Sequence, residues 1–324
     1  MTAMLEPTPF DLTGKKIWVA GHRGMVGSAL VRRLRREPCE ILTITSNELD
    51  LRRQSATEAW IDAHAPDAIL VAAARVGGII ANATHPAAFI YDNLTIAANI
   101  IDAGRRAGVE KLLYLGSSCM YPRDANQPMA ETALLTGPLE PTNEAYAVAK
   151  IAGLKLAESY HREYGCRFIT AIPPNLYGPN DNYDPDSSHV LAALIRRIHL
   201  AKQDGSASVT IWGTGSPMRE FLHVNDLADA CVLLLQHYEA PEPINVGSGQ
   251  EISIRDLALL IADIAGYSGG IVTDPAKPDG TPRKLMDSSR LSSLGWRPSI
   301  GLVEGIAASY RAWLADYAEP NAVS

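Results

Sequence analysis

IWVAGHRGMVG, residues 17–27, is the stretch on which the reading of the fold turns. Its first four residues are apolar and read as a buried strand. Gly21, Gly24 and Gly27 follow at GxxGxxG spacing, and the run 25–36 reads as an amphipathic helix. A tight turn from strand to helix needs the backbone freedom of glycine. A missing side chain also lets a pyrophosphate approach the helix N-terminus, which Met25 and Val26 open. Glycines in such a turn can also serve packing alone. With a strand before it and a helix after it, the segment reads as a dinucleotide-binding turn.

Outward from that turn, ILTIT (41–45), AILVAAA (68–74), KLLYLGSS (111–118) and the run 168–172 read as further strands. Helical stretches at 55–64, 87–107 and 144–164 separate them. Continuous apolar strands alternating with helices predict an α/β fold, a Rossmann-type doubly wound parallel sheet covered on both faces. PPNLYGP (173–179) ends that regularity. Beyond it lie helices near 189–202, 225–236, 254–265 and 302–316, with short strands near 209–212 and 220–223. This half is too irregular for another full Rossmann half and is assigned to a smaller C-terminal α/β substrate-binding domain. The expected division is an N-terminal extension over 1–15 and a nucleotide-binding domain over 16–180. A helix and the INVG strand, within about 222–250, rejoin that domain; 181–221 and 251–324 form the substrate domain.

At 324 residues the chain is long enough to bury a large core. A net charge of −7 argues against a nucleic-acid partner, whose footprint would be basic. Cys39, Cys119, Cys166 and Cys231 lie far apart with no metal-ligand or CxxC spacing, so no metal is expected. No apolar run approaches the roughly 20 residues that span a bilayer, and no charged-then-apolar leader opens the chain. The expectation is a reduced, cytoplasmic protein without a membrane partner. Its opening segment is polar, carries two prolines and is expected to be loosely held.

The second strand ends Thr43-Ile44-Thr45-Ser46, with no carboxylate to bind a ribose 2′-hydroxyl, while Arg23 stands inside the glycine turn. A guanidinium there can reach a 2′-phosphate, so NADP(H) is the expected cofactor; otherwise Arg23 is a solvated loop charge. YAVAK places Tyr146 and Lys150 on one helix face. A phenol, with a pKa near ~10 when free, can hand a proton to a carbonyl oxygen as hydride reaches carbon, and a neighbouring ammonium makes it easier to cycle. YxxxK alone is weak. Ser117 and Ser118 at the end of a core strand, where open α/β sheets bind ligands, add the weight.

AGHRGMVGSAL (20–30), AAARVGGIIAN (72–82), LGSSCMYP (115–122), EPTNEAYAVAKIAG (140–153), NLYGPNDNY (175–183), SSHVLAALIRR (187–197), MREFLHV (218–224) and KPDGTPRK (277–284) narrow the match. Together they resemble the GDP-L-fucose synthase family of extended short-chain dehydrogenases/reductases, over nearly everything from about residue 16 to 317. Arg75 stands where a lysine is common and Pro174 where threonine often occurs.

The resemblance implies that GDP-4-keto-6-deoxy-D-mannose is epimerised at carbons 3 and 5 and then reduced at carbon 4. One site can do both, because the ketone acidifies the neighbouring C–H bonds and the groups that polarise it also stabilise the enolate. It implies Tyr146 as proton donor, Lys150 as its tuner, Ser117 as carbonyl anchor, and Cys119 with His189 as the epimerisation pair, the assignment of acid and base left open. Read alone, Cys119 could be an inert buried thiol and His189 a helix cap. The resemblance places Leu115, Gly116, Pro173, Asn175, Leu176, Lys150 and His189 with the glycine turn around NADP(H). It puts Arg197, Trp212, Arg219 and Asp279 on the GDP-sugar, and Asn175 in a shaping role on the nicotinamide side. A homodimer built through helices 87–107 and 144–164 is also implied. Rival readings are another nucleotide-sugar epimerase or reductase and a non-catalytic NADP-binding regulator.

Overall fold

The computed structural model describes residues 9–277 and 279–321. Strand and helix alternate through the first half: β1 (Lys16–Ala20), α1 (Met25–Leu34), β2 (Glu40–Leu42), α2 (Gln54–His64), β3 (Ala68–Val71), α3 (Ile79–Thr84) and α4 (Pro86–Arg106). β4 (Lys111–Leu115), α5 (Glu144–Tyr164), β5 (Arg167–Ile172), β6 (Asn175–Tyr177) and α6 (Val190–Gln203) come next. β7 (Ser208–Trp212), β8 (Met218–His223), α7 (Val224–His237) and β9 (Ile244–Asn245) follow. The chain closes with β10 (Glu251–Ser253), α8 (Ile254–Ala265), β11 (Gly270–Asp274), β12 (Arg283–Lys284), α9 (Ser289–Ser293) and α10 (Leu302–Asn321).

Six strands pair in parallel in the order β2-β1-β3-β4-β5-β9. Leu30 and Leu34 of α1 and Leu227 and Val232 of α7 fill one face; Ile61, Ile100, Ile101 and Ala157 from α2, α4 and α5 fill the other. The doubly wound parallel sheet expected from the apolar strands is therefore present. The chain leaves β1 to one side and returns to β3 on the other, which opens a crevice above their carboxyl ends.

A second unit is organised around β8. Its first half pairs antiparallel with β10 and parallel with β12, and its second half pairs parallel with β6. β7 and β11 form a separate parallel pair. Leu194, Ile198, Leu257, Ile261, Ile306 and Trp313 from α6, α8 and α10 form its core.

Three expectations shift. β6 lies before residue 180 yet belongs to the second sheet, because Pro173 and Pro174 cannot donate to the first and redirect the chain after β5. The second strand stops at Leu42 and does not run to residue 45. There the Glu48 carboxylate accepts the Thr45 N–H at 3.1 Å and its hydroxyl at 2.6 Å, folding the chain into a turn. The opening segment is not loose throughout. Residues 1–8 lie outside the described residues, but Phe10 and Leu12 are buried in the first core and the Phe10 N–H bonds the Gln236 carbonyl at 2.8 Å. The Phe10 ring sits beneath the cations of Lys111 and Arg167, which share the Glu239 carboxylate.

Candidate active site

The glycine turn closes the carboxyl end of β1. Gly21 has φ +85°, and a Cβ there would stand 2.7 Å from the backbone of Ala73, at the end of β3. A Cβ on Gly27 would overlap the Gly21 carbonyl. Those two glycines are required by packing. Gly24 is different: a Cβ there would meet only the Gly21 oxygen, at an ordinary 3.6 Å. Nothing in the protein demands glycine at the mouth of α1, so the open space suits a ligand lying against Met25 and Val26. A pyrophosphate fits that cradle. Gly27→Ala is expected to prevent folding, whereas Gly24→Ala keeps the melting temperature and loses NADPH affinity, read by fluorescence titration. Equal loss of stability in both variants would contradict this division.

Arg23 is exposed beside the turn. The carboxylate missing from the expected end of the second strand arrives later, as Glu48, but it is committed to Thr45. On the other side of the crevice, Leu115 and Gly116 end β4, and the Gly116 N–H bonds the Ala171 carbonyl at 2.8 Å. Pro173 accepts from the Ser118 N–H, and the Asn175 amide donates to the Glu220 carbonyl at 3.1 Å. Asn175 thus ties β6, with Leu176, to β8. The chain past β3 reaches across the crevice too: Gly78 donates to the Ser187 carbonyl, and a Cβ on Gly78 would stand 2.7 Å from the Ser188 oxygen.

Ser117, Tyr146 and Lys150 converge at the end of β4. The Ser117 hydroxyl acts on the Tyr146 phenol from nearby, and Lys150 sits one helical turn on with its ammonium 5.8 Å from the phenol ring centroid. Lys150 is buried and donates to the Leu115 carbonyl at 2.9 Å. Desolvation pulls its pKa down to about 8. Tyr146 reaches the solvent of the cleft but is packed round by protein. Desolvation raises its pKa, the nearby Cys119 charge adds to that, and the Ser117 hydroxyl opposes it. The phenol is held protonated, as a proton donor must be.

Cys119 lies in a single 3-10 turn, 118–120, which Ser117 caps by accepting the Cys119 N–H at 3.3 Å. Its sulfur accepts from the Asn143 amide at 3.2 Å and faces the Lys284 ammonium at 3.9 Å. His189 occupies the residue before α6 without capping it, so the ring is free for another use. It is accessible from the cleft, yet the dense protein around it lowers its pKa by desolvation.

Arg197 and Arg219 are half-buried, and desolvation lowers the pKa of both. Each donates to a backbone carbonyl, Arg197 to Thr210 and Arg219 to Met218 at 2.8 Å; neither forms an ion pair among the described residues, and Glu140 and Asp279 act on Arg219 from further off. Two guanidinia held this way suit an anion such as a diphosphate. Trp212 is exposed as a flat wall with Lys277 5.6 Å over its ring. The exposed Asp279 carboxylate accepts the Thr214 N–H at 2.7 Å and hydroxyl at 3.0 Å, which closes the loop beside Trp212.

Asn143 and Lys284 were not singled out from the sequence. Each sits in a stretch quoted above, but an amide before a helix and a lysine in a loop carry no local signal. Among the described residues no group of His, Cys, Asp and Glu could hold a metal, and no helix is long and apolar enough to cross a membrane.

Residues 17–247 match the NAD dependent epimerase/dehydratase family. A GDP-L-fucose synthase of Sinorhizobium fredii is 54% identical over 308 residues, covering 95% of this chain and 98% of that protein. GDP-L-fucose synthase 1 of Arabidopsis thaliana is 55% identical over 296 residues, 91% of this chain and 92% of its own. The crystal structure of a GDP-L-fucose synthetase from Naegleria fowleri bound to NADP superposes with a TM-score of 0.88 at 27% identity, covering 96% and 98% of the two chains.

Proposed function

The chain belongs to the NAD dependent epimerase/dehydratase family, and on that premise we propose that it converts GDP-4-keto-6-deoxy-D-mannose to GDP-L-fucose with NADPH. It is an oxidoreductase that also epimerises. The observation that carries the reading is the meeting of two sets of groups in one cleft. The Ser117–Tyr146–Lys150 set serves a ketone reduction, and Cys119 stands against it, its N–H on the Ser117 hydroxyl at 3.3 Å. A plain reductase has no use for that thiol.

When bound, NADPH supplies the hydride for carbon 4 of the sugar. Ser117 and Tyr146 hold the ketone oxygen, and the phenol gives it a proton as it becomes an alcohol. Before that, the same two donors stabilise the enolates through which carbons 3 and 5 invert, while Cys119 and His189 carry the protons. Arg197 and Arg219 hold the diphosphate, with Trp212 beside them. Arg23 reads the 2′-phosphate that distinguishes NADPH from NADH.

Consumption of one NADPH per sugar, with GDP-L-fucose identified as product by NMR, is the expected result with fresh substrate. Epimerisation without net NADPH loss would replace this reading with a redox-neutral epimerase, and tight NADPH binding without turnover would replace it with a regulator. The enzyme acts as a cytoplasmic homodimer: Tyr91 and Leu94 on α4 and Val148 on α5 leave an apolar face exposed. Light scattering at the monomer mass would reject the dimer.

A further inference from the structure

We propose that Asn143 and Lys284 are positioning residues that hold the Cys119 sulfur as a thiolate for the epimerisation steps. The inference rests on the function proposed above. Its structural basis is a clamp from three separate elements. The 3-10 turn 118–120 presents the sulfur, the residue before α5 brings the Asn143 amide to 3.2 Å, and β12 brings the Lys284 ammonium to 3.9 Å. Both groups are donors only at those atoms. A thiolate accepts such bonds far better than a thiol, so two donors favour the anion. Lys284 is half-buried, and this sulfur is its polar partner.

Lys284 and Arg219 are the cations near the sulfur, and Glu140 and Asp279 act on Arg219 from its other neighbours. Lys284 is the register partner of Arg219 on the adjacent strand, and the Arg219 charge interacts with Cys119 as well. From α5, Tyr146 faces it as a neutral phenol. No carboxylate donates or accepts at the sulfur itself among the described residues. In this state Cys119 takes a proton from a carbon beside the ketone. The C–H bond breaks, an S–H bond forms, and the electron pair moves to the ketone oxygen held by Ser117 and Tyr146. A proton delivered to the opposite face restores the C–H bond, and the thiol returns its proton to solvent, so the inversion is redox-neutral.

The deciding arm of the test needs no substrate. Alkylation of Cys119 by iodoacetamide at neutral pH is followed by peptide mass spectrometry on the full-length protein, with Cys39 and Cys166 as internal references. Lys284→Met and Asn143→Ala are each expected to slow alkylation of Cys119 by about tenfold, and Lys284→Arg to keep it near the unmodified rate. The same two variants slow solvent-deuterium incorporation into the sugar by a similar factor while NADPH affinity is unchanged. Unaltered alkylation of Cys119 in both variants overturns the proposal, as does Lys284→Arg behaving like Lys284→Met. If Lys284→Met does not fold, Asn143→Ala and Lys284→Arg decide. A wild-type protein inert toward the GDP-sugar would count against the proposed substrate alone, since the alkylation rates still judge the clamp.

Discussion

Tyr146→Phe is expected to slow ketone reduction by about 10²–10⁴-fold, the usual contribution of a positioned general acid, and to leave NADPH affinity unchanged. The expectation follows from how the phenol is held. Protein packed around it disfavours the phenolate, and Ser117 acts on it at the end of β4. Phenylalanine keeps the ring and its packing, including the edge contact with Phe89 at 6.3 Å between centroids, and removes only the hydroxyl that carries the proton. Single-turnover NADPH oxidation measures the loss. Reduction at the wild-type rate would mean that another acid serves carbon 4.

Lys150→Met is the second large effect, and it has opposite signs for activity and stability. Activity falls, because the ammonium that assists the tyrosine is gone. Stability at neutral pH rises. A base whose pKa drops from 10.5 unfolded to about 8 folded binds fewer protons in the native state between those values. Stability therefore increases with pH across that window, and the cost of a buried ammonium is felt in full below about 8. That cost is roughly 3 kcal/mol, offset in part by the bond to Leu115, which methionine also forfeits. Urea melts at pH 7 and pH 9.5 separate the contributions: the variant gains at pH 7 and loses most of that gain at pH 9.5. A variant less stable than wild type at both pH values would refute the assignment. The wild-type rate should also decline as pH rises through about 8, where Lys150 gives up its proton.

Much of this was legible because it is local. A strand, three glycines and a helix occupy twenty consecutive residues, 17–36, and YxxxK is one helical turn. Ser117 needed only the end of an apolar strand. What escaped the sequence is made by residues far apart in the chain. Lys284 meets Cys119 across 165 positions, and Asp279 reaches Thr214 across 65 to clasp a loop. Phe10 is likewise anchored from Gln236, Lys111 and Arg167, none of which its own neighbourhood announces. The early end of the second strand depended on a side chain, Glu48, competing for a backbone N–H, and a period-two pattern is blind to that.

The way β6, β8, α7 and β9 cross between the two sheets bears on how such a protein can change its diet of sugars. Chain that builds the β8 sheet and its core is laid down in two instalments, with α7 and β9 returning to the six-stranded sheet between them. No single splice point parts one half from the other, so a chimaera that borrowed a relative's C-terminal third would inherit a mismatched β8 seam. New specificity is more readily reached through the loops at 181–188, 213–216 and 279–282, where replacement leaves both sheets whole.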